Sequence, residues 1–493
     1  MPAAQSFVAE KTPCAFQGGR AMTPPQHIPE DRPVAALLAP DILALLDESP
    51  TAVAAETEEL HAADLADVAE LLPRDKLPAL IAALPPQRAA DVLEYLDEGI
   101  RADLLEAMSA RQAADLVSEM TPDDRADILE EIEEQRAEEI LAAISTEARR
   151  ETEQLLSYEP DTAGGLMTTE FVSVPASMTV EAALASVRAI ARSGRREAMY
   201  QIYVTADNGT LNGVLSLREL LAAPEGGKVG DVAWTDVVTV SANSDREEVS
   251  RVISNYDLVA VPVVDDQHRV LGVITVDDVI DAIQEEQTED AQKFGGMEAL
   301  DQPYMQIGFW RMVKKRGGWL SALFLSEMLT ASAMNHYGDE LAKAFVLTAF
   351  IPLVMSSGGN SGSQATSLII RALALGEIRL RDWWKVALRE LPSGIALGSI
   401  LCVLGITRIL LWQHLGITDY GHYHNLVALT VGVALIGIVT FGSLAGSMLP
   451  FVMQRLGFDP ASASAPFVAT LVDVTGLVIF FTVAATILHN TLL

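Results

Sequence analysis

Residues 464–488 have the sequence SAPFVATLVDVTGLVIFFTVAATIL, an apolar run that a single carboxylate, Asp473, interrupts. A helix needs about 20 apolar residues to cross a bilayer, and this run is long enough. An ionisable group at membrane depth is costly, and such groups usually face a bundle interior or a water-filled path. The segment therefore predicts a membrane helix that places a carboxylate in an ion or proton path. The alternative is a carboxylate that is hydrogen-bonded to another helix for packing alone.

Four more apolar segments precede this one, and together they predict five membrane spans. The spans are residues 317–336, 342–373, 385–412, 424–454 and 463–488. Lys and Arg mark the cytoplasmic side of a membrane protein. They lie before the first span, between the second and third, and between the fourth and fifth: Arg311, Lys314, Lys315, Arg316, Arg371, Arg379, Arg381, Lys385, Arg389 and Arg455. The opposite connections hold none, which predicts a cytoplasmic N-terminus and an external C-terminus.

The charge of the chain is concentrated in its first part. Residues 1–308 carry 58 acidic and 22 basic residues, a formal charge of −36, whereas residues 309–493 carry 9 and 12, a charge of +3. A region this acidic repels itself and argues against nucleic acid as a partner. Bound cations would relieve the repulsion, although most of these carboxylates are expected to serve solubility alone. Cys14 and Cys402 are far apart and indicate neither a disulfide nor a thiolate metal site.

The acidic part begins with a predicted tail and a helical repeat. Residues 1–40 show no secretory signal and are interpreted as a disordered tail. Triplets of Ala, Asp and an apolar residue then recur at multiples of 12 residues, with the acids Asp67, Asp91, Asp103, Asp115 and Asp127. The repeat predicts stacked short helices in a superhelical N domain over residues 41–160, two helices forming a unit of 24. For most of these aspartates the plain explanation is a helix N-cap or first turn.

Residues 161–282 contain two similar units in which a β-stretch, a turn, a second β-stretch and a helix follow one another. The second unit shows the pattern in residues 259–265 and 272–278. Run twice, the pattern resembles a tandem pair of CBS domains, an α/β fold that often binds adenine nucleotides. An Asp near the start of the last helix often holds the ribose, and Glu219 occupies this place in the first unit. Glu219 is thus a candidate nucleotide contact and ATP a candidate ligand.

Two further segments concern the membrane part. Residues 283–308 predict a charged connecting helix, which stands where a gating element would have to lie. The second span contains PLVMSSGGNSGSQ, residues 352–364, whose small residues allow close helix approach and expose backbone carbonyls. Oxygen-rich surroundings suit Mg²⁺, which is often bound through its hydration shell. The alternative is a packing face. Glu327 and Glu390 are the other acids at or near membrane depth.

The order of these parts resembles that of MgtE-type magnesium channels over roughly residues 50–490. The motifs that carry the resemblance are residues 158–168 (YEPDTAGGLMT), 277–281 (DDVID), 358–364 (GGNSGSQ), 459–461 (DPA) with Pro466, and 473–476 (DVTG). The resemblance implies a multidomain membrane protein with a cytoplasmic α-helical superhelical N domain, an α/β tandem CBS pair, a connecting (plug) helix and a five-helix all-α transmembrane domain over residues 309–493. It also implies the bacterial inner membrane and a homodimer with the ion path at its two-fold axis.

The resemblance also implies two sets of Mg²⁺-binding residues. The pore set is Asp473, Ala469, Gly476, Gly358 and Gly359. The cytosolic sensor set is Asp91, Asp123, Asp127, Asp245, Glu247, Asp257, Asp278, Asp281, Glu286, Glu289, Asp290 and Asp459. The chain departs from the family at Ala465, where an amide is expected, and at Glu327, where a small residue is expected. Glu327 is therefore a candidate for an additional intramembrane site.

The functional prediction is a Mg²⁺-selective channel for influx that cytosolic Mg²⁺ closes through the acidic domains. An alternative is a secondary transporter that couples Mg²⁺ or another divalent cation to Na⁺ or H⁺, with Glu327 as the coupling group. A membrane-tethered sensor without transport is a third hypothesis, against which Asp473 and the pore glycines argue. An enzyme is not expected, because neither a nucleophile–base arrangement nor a phosphate-cradling loop is present. The residues leave the choice among Mg²⁺, Co²⁺, Ni²⁺ and Mn²⁺ open.

Overall fold

The computed structural model describes residues 33–192, 201–300, 302, 304–305, 307–337, 345–489 and 491. The chain divides into two compact units. The first contains Met1–Met120 and Glu131–Ile144, and the second contains Thr121–Glu130 and Ser145–Leu493.

The described part of the first unit consists of short helices. They are α1 (Pro33–Glu48), α2 (Val53–Glu56), α3 (Ala62–Leu71), α4 (Leu77–Ala83), α5 (Pro86–Glu94), α6 (Glu98–Ala107), α7 (Ala110–Val117) and α9 (Glu134–Ala143). Alternate helices pack on one another, because α1 contacts α3, α3 contacts α5, α5 contacts α7 and α7 contacts α9, while α4 contacts α6. Two consecutive helices thus form the repeating unit. The predicted helical N domain is confirmed.

Two details of the predicted N domain are wrong. Asp67 is the sixth residue of α3, and the helix is capped by His61, whose ring accepts a hydrogen bond from the Ala63 amide. Likewise α7 begins after Ser109, several residues before Asp115. The repeated aspartates therefore lie inside their helices and not at the caps. In addition, α1 begins at Pro33, within the predicted disordered tail, while residues 1–32 lie outside the described residues.

The second unit begins with α8 (Pro122–Glu131) and α10 (Thr146–Leu155), followed by two three-stranded sheets. The elements are β1 (Val172–Pro175), α11 (Val180–Ala191), β2 (Ile202–Thr205), β3 (Leu211–Leu215), α12 (Leu217–Ala222), α13 (Val229–Val232), β4 (Val240–Ser241), α14 (Arg246–Tyr256), β5 (Ala260–Val264) and β6 (Val270–Thr275). In each sheet the first strand runs parallel to the middle strand, which is antiparallel to the last. This repeated α/β arrangement confirms the tandem CBS pair.

Two helices that precede the CBS pair pack against its second half. Ala126 of α8 and Leu155 of α10 share one buried apolar cluster with Val249, Ile274 and Val279. Burial of these side chains away from water stabilises the contact. The packing places the acidic first turn of α8 beside the start of the helix that follows β6.

That helix, α15 (Val276–Phe294), corrects the prediction of a separate connecting helix over residues 283–308. It begins in the second CBS unit, where Thr275 and Asp278 form a reciprocal capping box. It ends before Gly296, whose φ of 78° lies in the left-handed region that glycine tolerates. The last helix of the CBS pair and the connecting helix are therefore one continuous element.

Among the described residues that follow, five helices are long: α16 (Phe309–His336), α17 (Ile351–Ala374), α18 (Trp383–His414), α19 (His424–Arg455) and α20 (Ala465–Leu488). Within the described residues three segments are long and apolar enough to cross a membrane, namely Leu380–His414, His424–Arg455 and Ala465–Leu488. The predicted count of five spans is thus confirmed for three. Basic residues and Glu327 make α16 less apolar, and small polar residues do the same for α17. Residues 342–344, where the second span was predicted to begin, lie outside the described residues.

The long helices pack around α17, α19 and α20. α17 contacts both α19 and α20, α18 packs along α19, and α16 contacts α20. Val354, Val431, Ile438, Val472 and Phe480 are buried in the shared core. This core holds the segment with Asp473 against the glycine-rich helix.

Candidate cation path and regulatory carboxylates

Asp473 lies in the middle of α20. The helix begins after Ser464, whose hydroxyl accepts a hydrogen bond from the Phe467 amide at 3.4 Å. Residues four and three positions apart share a helix face, so Ala469, Asp473 and Gly476 lie along one side of α20. Within the described chain the Glu327 carboxylate is the one side chain that acts electrostatically on Asp473, and it repels it. Among the described residues no side chain forms a hydrogen bond with Asp473, so the alternative of a carboxylate held by a neighbouring helix for packing has no support in the described chain.

The glycines of α17 have two different surroundings. A Cβ atom on Gly358 would lie 2.7 Å from Cγ1 of Val472 and would also collide with Ile438, so this glycine permits close packing of α17 on α19 and α20. A Cβ atom on Gly359 would lie 3.4 Å from Cβ of Ala469, which is ordinary contact. The packing interpretation therefore applies to Gly358, whereas Gly359 stands opposite the helix face that carries Asp473.

Glu327 and Ala465 are the positions at which the chain departs from the expected family pattern. The Glu327 side chain is exposed on α16, which contacts α20. At the start of α20 the Ser363 hydroxyl donates a hydrogen bond to the Ala465 carbonyl at 3.4 Å. At the position where an amide side chain was expected, the backbone carbonyl of Ala465 therefore accepts a hydrogen bond from Ser363.

Asp123 and Asp278 form the most deeply buried carboxylate pair of the predicted sensor. Asp123 is 7% exposed, and its Oδ1 atom has no hydrogen-bond partner among the described residues. Burial raises the pKa of Asp123 above its usual range. Burial, together with repulsion from Asp123, raises the pKa of Asp278 to about 8. A cation between these carboxylates would satisfy the orphaned oxygen and relieve the repulsion.

A second group of acids lies between α14 and α15. Burial, with repulsion from the carboxylates of Glu286, Asp245 and Asp290, raises the pKa of Glu247 to about 7. Burial, with repulsion from Asp459 and Glu286, raises the pKa of Asp290 to about 6. The structure therefore brings together acids from the second CBS half, the connecting helix and the loop before α20.

Two cations that sequence reasoning missed lie in this second group. The Arg246 guanidinium forms ion pairs with Glu286 at 2.7 Å and Glu289 at 3.0 Å. The Lys293 ammonium pairs with Glu289 at 2.5 Å and with Asp459 at 2.6 Å. The spacing of Glu289 and Lys293, four residues apart on one helix, is a sequence signal for their pair. The contacts of Arg246 with α15 have no such signal.

The other predicted sensor residues lie in several different elements. Asp91 is half-buried in α5 of the first unit, and Asp127 is exposed on α8. Asp245 caps α14 at one end, and Asp257 lies at the other end with a φ of 50°. Most of the Asp281 side chain is exposed, and partial desolvation together with repulsion from Asp277 raises its pKa. Across the described residues no group of three or more His, Cys, Asp or Glu side chains is spaced to hold a metal ion.

The candidate nucleotide contact, Glu219, is already engaged. It forms a capping box with Ser216, and it accepts a hydrogen bond from the Trp234 indole at 2.6 Å. These hydrogen bonds hold the pKa of Glu219 below its usual range. A nucleotide ribose would have to displace Trp234 to reach this carboxylate, so ATP binding stays a prediction.

Comparison with known proteins agrees with this organisation. Residues 60–161 match the MgtE intracellular N domain, residues 163–226 and 229–285 match the CBS domain, and residues 351–483 match the MgtE divalent cation transporter. Together with the bundle of apolar helices, these matches define a membrane transporter of divalent cations that carries a CBS pair.

Two relatives that match over most of their length specify the family. The chain is 41% identical to the magnesium transporter MgtE of Thermus thermophilus over 346 residues, which are 70% of this chain and 74% of the relative. It is 34% identical to the magnesium transporter MgtE of Enterococcus faecalis over 341 residues, 69% of this chain and 72% of the relative. Among solved structures, the chain is similar to the crystal structure of the cytosolic domain of the Mg²⁺ channel MgtE in complex with ATP, with 35% sequence identity and a TM-score of 0.47. The match covers 50% of this chain and 99% of that chain. The chain belongs to the MgtE family.

Proposed function

We propose that this chain is a Mg²⁺-selective channel that admits Mg²⁺ through a membrane path containing Asp473. The observation that carries the proposal is the setting of this carboxylate in α20, where the described chain supplies no cationic or hydrogen-bonding side chain to it. Such a carboxylate attracts a cation, and Mg²⁺ that keeps its waters can bind through one or two carboxylates. Magnesium as the cargo follows from the named function of the relatives.

The path is proposed to form between two copies of the chain in the bacterial inner membrane. On α16 the apolar side chains of Leu320, Phe324 and Leu325 are exposed, as expected of a helix that faces lipid or a second copy. Gly359, opposite Ala469, leaves room beside the α20 face that carries Asp473. The N-terminal domains are proposed to be cytoplasmic and the C-terminus external.

Cytosolic Mg²⁺ is proposed to close the path. Asp123 and Asp278 fit a cation because one buried oxygen of Asp123 lacks a partner in the described chain. Glu247 and Asp290 fit a second cation because each carboxyl repels acidic neighbours. At high Mg²⁺ the bound cations would stabilise the docked arrangement of α15, and at low Mg²⁺ the repulsion would loosen it. The ligand thus shifts a population between two states.

Mg²⁺ flux into liposomes tests both parts of the proposal. The purified protein is studied without a Na⁺ or H⁺ gradient, at low and at high Mg²⁺ on the cytoplasmic face. We expect passive flux that falls at high Mg²⁺ and that Asp473→Asn abolishes with the fold intact. Glu390→Gln, which removes another carboxylate from the membrane helices, is the matched control and should retain flux. Normal flux through Asp473→Asn would refute the proposed path.

An electrostatic interaction between two membrane carboxylates favours a second candidate function, coupled transport. Glu327 acts electrostatically on Asp473, so the two carboxylates can share a proton or a second cation. In this case flux would require a Na⁺ or H⁺ gradient, and Glu327→Gln would remove that requirement or abolish flux. Gradient-independent flux that is equal in the wild type and Glu327→Gln would leave the channel as the function.

A further inference from the structure

Arg246, the first residue of α14, lies among acids from two segments. Its guanidinium contacts Asp161 at 2.9 Å, Glu286 at 2.7 Å and Glu289 at 3.0 Å, and Glu285 lies at 3.4 Å. The side chain is 12% exposed. A guanidinium supplies several donors in a fixed plane, so it can bind carboxylates of different segments at once. Arg246 thereby joins the second CBS half to α15.

Lys293, in the last turn of α15, makes the corresponding contact toward the membrane part. Its ammonium donates a hydrogen bond to Asp459 at 2.6 Å and pairs with Glu289 at 2.5 Å. The other oxygen of Asp459 accepts the Ala461 amide at 2.8 Å and so caps the turn before α20. Although burial opposes the charged form, the hydrogen bonds to Asp459 and Glu289 raise the pKa of Lys293 above its usual value.

The two contacts meet at Glu289, so charges alternate without a break from Asp161 through Arg246, Glu289 and Lys293 to Asp459. Isolated ion pairs on a surface contribute little. Asp161 is exposed, but the pairs from Arg246 through Glu289 and Lys293 to Asp459 are partly buried and share members. Hydrogen bonds from Arg246 to Glu289 and from Lys293 to Asp459 strengthen them further. They also occupy Glu286, Glu289 and Asp459, which are acids of the proposed Mg²⁺ sensor.

We propose that Arg246 and Lys293 are tethered cations that neutralise part of the charge of these acids and limit how far α15 loosens from the second CBS half and from the loop before α20 when Mg²⁺ is absent. This inference rests on the proposed closure by Mg²⁺ and concerns its regulation. Mg²⁺ then completes the docking at the remaining acids, such as Glu247 and Asp290. The tethered cations act through the carboxylates and are positioning residues.

Hydrogen exchange of the α15 amides in the full-length protein in lipid nanodiscs tests the proposal. Exchange is measured in EDTA and at saturating Mg²⁺ for the wild type, Arg246→Gln and Lys293→Gln. In EDTA we expect each variant to exchange about tenfold faster than the wild type, which corresponds to about 1.4 kcal/mol. At saturating Mg²⁺ we expect the variants to regain the wild-type rate, because divalent ions replace the missing charge.

Conservative and control variants make the test specific. Lys293→Arg keeps the positive charge and should exchange like the wild type in EDTA. Arg188→Gln removes an exposed arginine from α11 and should change nothing. Unchanged exchange in EDTA for both Gln variants would overturn the proposal. Fast exchange that Mg²⁺ does not restore would also overturn it, since the two residues would then be structural.

A different result of the same experiment would refute the proposed closure by Mg²⁺. If the wild type exchanged at the same rate in EDTA and in Mg²⁺, closure by Mg²⁺ would be refuted. The comparison of the variants with the wild type in EDTA would still show whether Arg246 and Lys293 hold α15 in place.

Discussion

Neutralising Asp278 should make the docked cytosolic part more stable without Mg²⁺ and less responsive to Mg²⁺. The carboxyl is half-buried at the first turn of α15 and repelled by Asp123, and its pKa is about 8 in place of 3.8. Asp278→Asn removes the ionisable group but keeps an oxygen that can accept the hydrogen bonds from Thr275. The capping box that begins α15 should therefore survive.

The magnitude follows from the change in pKa. A carboxyl that is mostly ionised in the open state at pH 7, but titrates near 8 in the docked state, costs the docked state about 4 kcal/mol. Asp123 and Asp278 share this cost, and Asp278 is not fully enclosed. We therefore expect Asp278→Asn to stabilise the docked state relative to the open state by about 2 kcal/mol. Mg²⁺ should stabilise the docked state of Asp278→Asn less than that of the wild type, and the difference should be of similar size.

The assay is hydrogen exchange of the amides in α8 and in the first turns of α15, in EDTA and with Mg²⁺, in the full-length protein. Exchange in EDTA should slow by roughly 30-fold in Asp278→Asn, the factor that corresponds to about 2 kcal/mol. Asp277→Asn, which changes the exposed neighbouring carboxyl, is the matched control and should alter exchange much less.

Two outcomes would refute this reasoning. Faster exchange of Asp278→Asn in EDTA would mean that the ionised carboxylate stabilises the docked state. An undiminished response to Mg²⁺ would mean that Asp278 takes no part in cation binding.

Two further predictions concern pH and packing. The pKa values of Glu247 and Asp290 are raised to about 7 and about 6, so the docked state without Mg²⁺ should lose stability as pH rises from about 4 to about 7, because over this range it holds protons that the open state has already lost. Thermal unfolding in EDTA and in Mg²⁺ should therefore show a larger Mg²⁺ effect at pH 8 than at pH 6. Gly358→Ala should destabilise the membrane part by about 1–3 kcal/mol, because its Cβ atom would lie 2.7 Å from Val472, whereas Gly359→Ala should leave the melting temperature nearly unchanged. Equal melting temperatures for the two Ala variants would contradict the packing difference.

Local patterns predicted much of the fold. The repeat of 12 residues predicted the short helices of the N domain, because helix starts and apolar faces are local properties of the chain. The alternating apolar stretches predicted the strands of both CBS halves, and the long apolar runs predicted the membrane helices. The start of α15 was missed although Thr275 and Asp278 have the spacing of a capping box, a signal that the sequence contains.

The candidate path was partly predictable as well. Asp473 stands out in an apolar run, and its importance follows from the cost of a charge in the membrane. The sequence could not show that Glu327 acts on it or that Gly358 packs while Gly359 faces Ala469. These contacts depend on how α16, α17 and α20 cross, which no local pattern specifies.

The sequence alone determined which residues carry charge, roughly where most helices and strands lie, and which segments are apolar enough for a membrane. Only the tertiary structure decided which charges meet. Asp123 and Asp278 are far apart in the chain, and so are Lys293 and Asp459, which are paired at 2.6 Å. Burial and the distance between charges set the strength of an electrostatic interaction, and both are properties of the packed chain. The sequence therefore predicted an acidic sensor, and the packing added the two cations that share it.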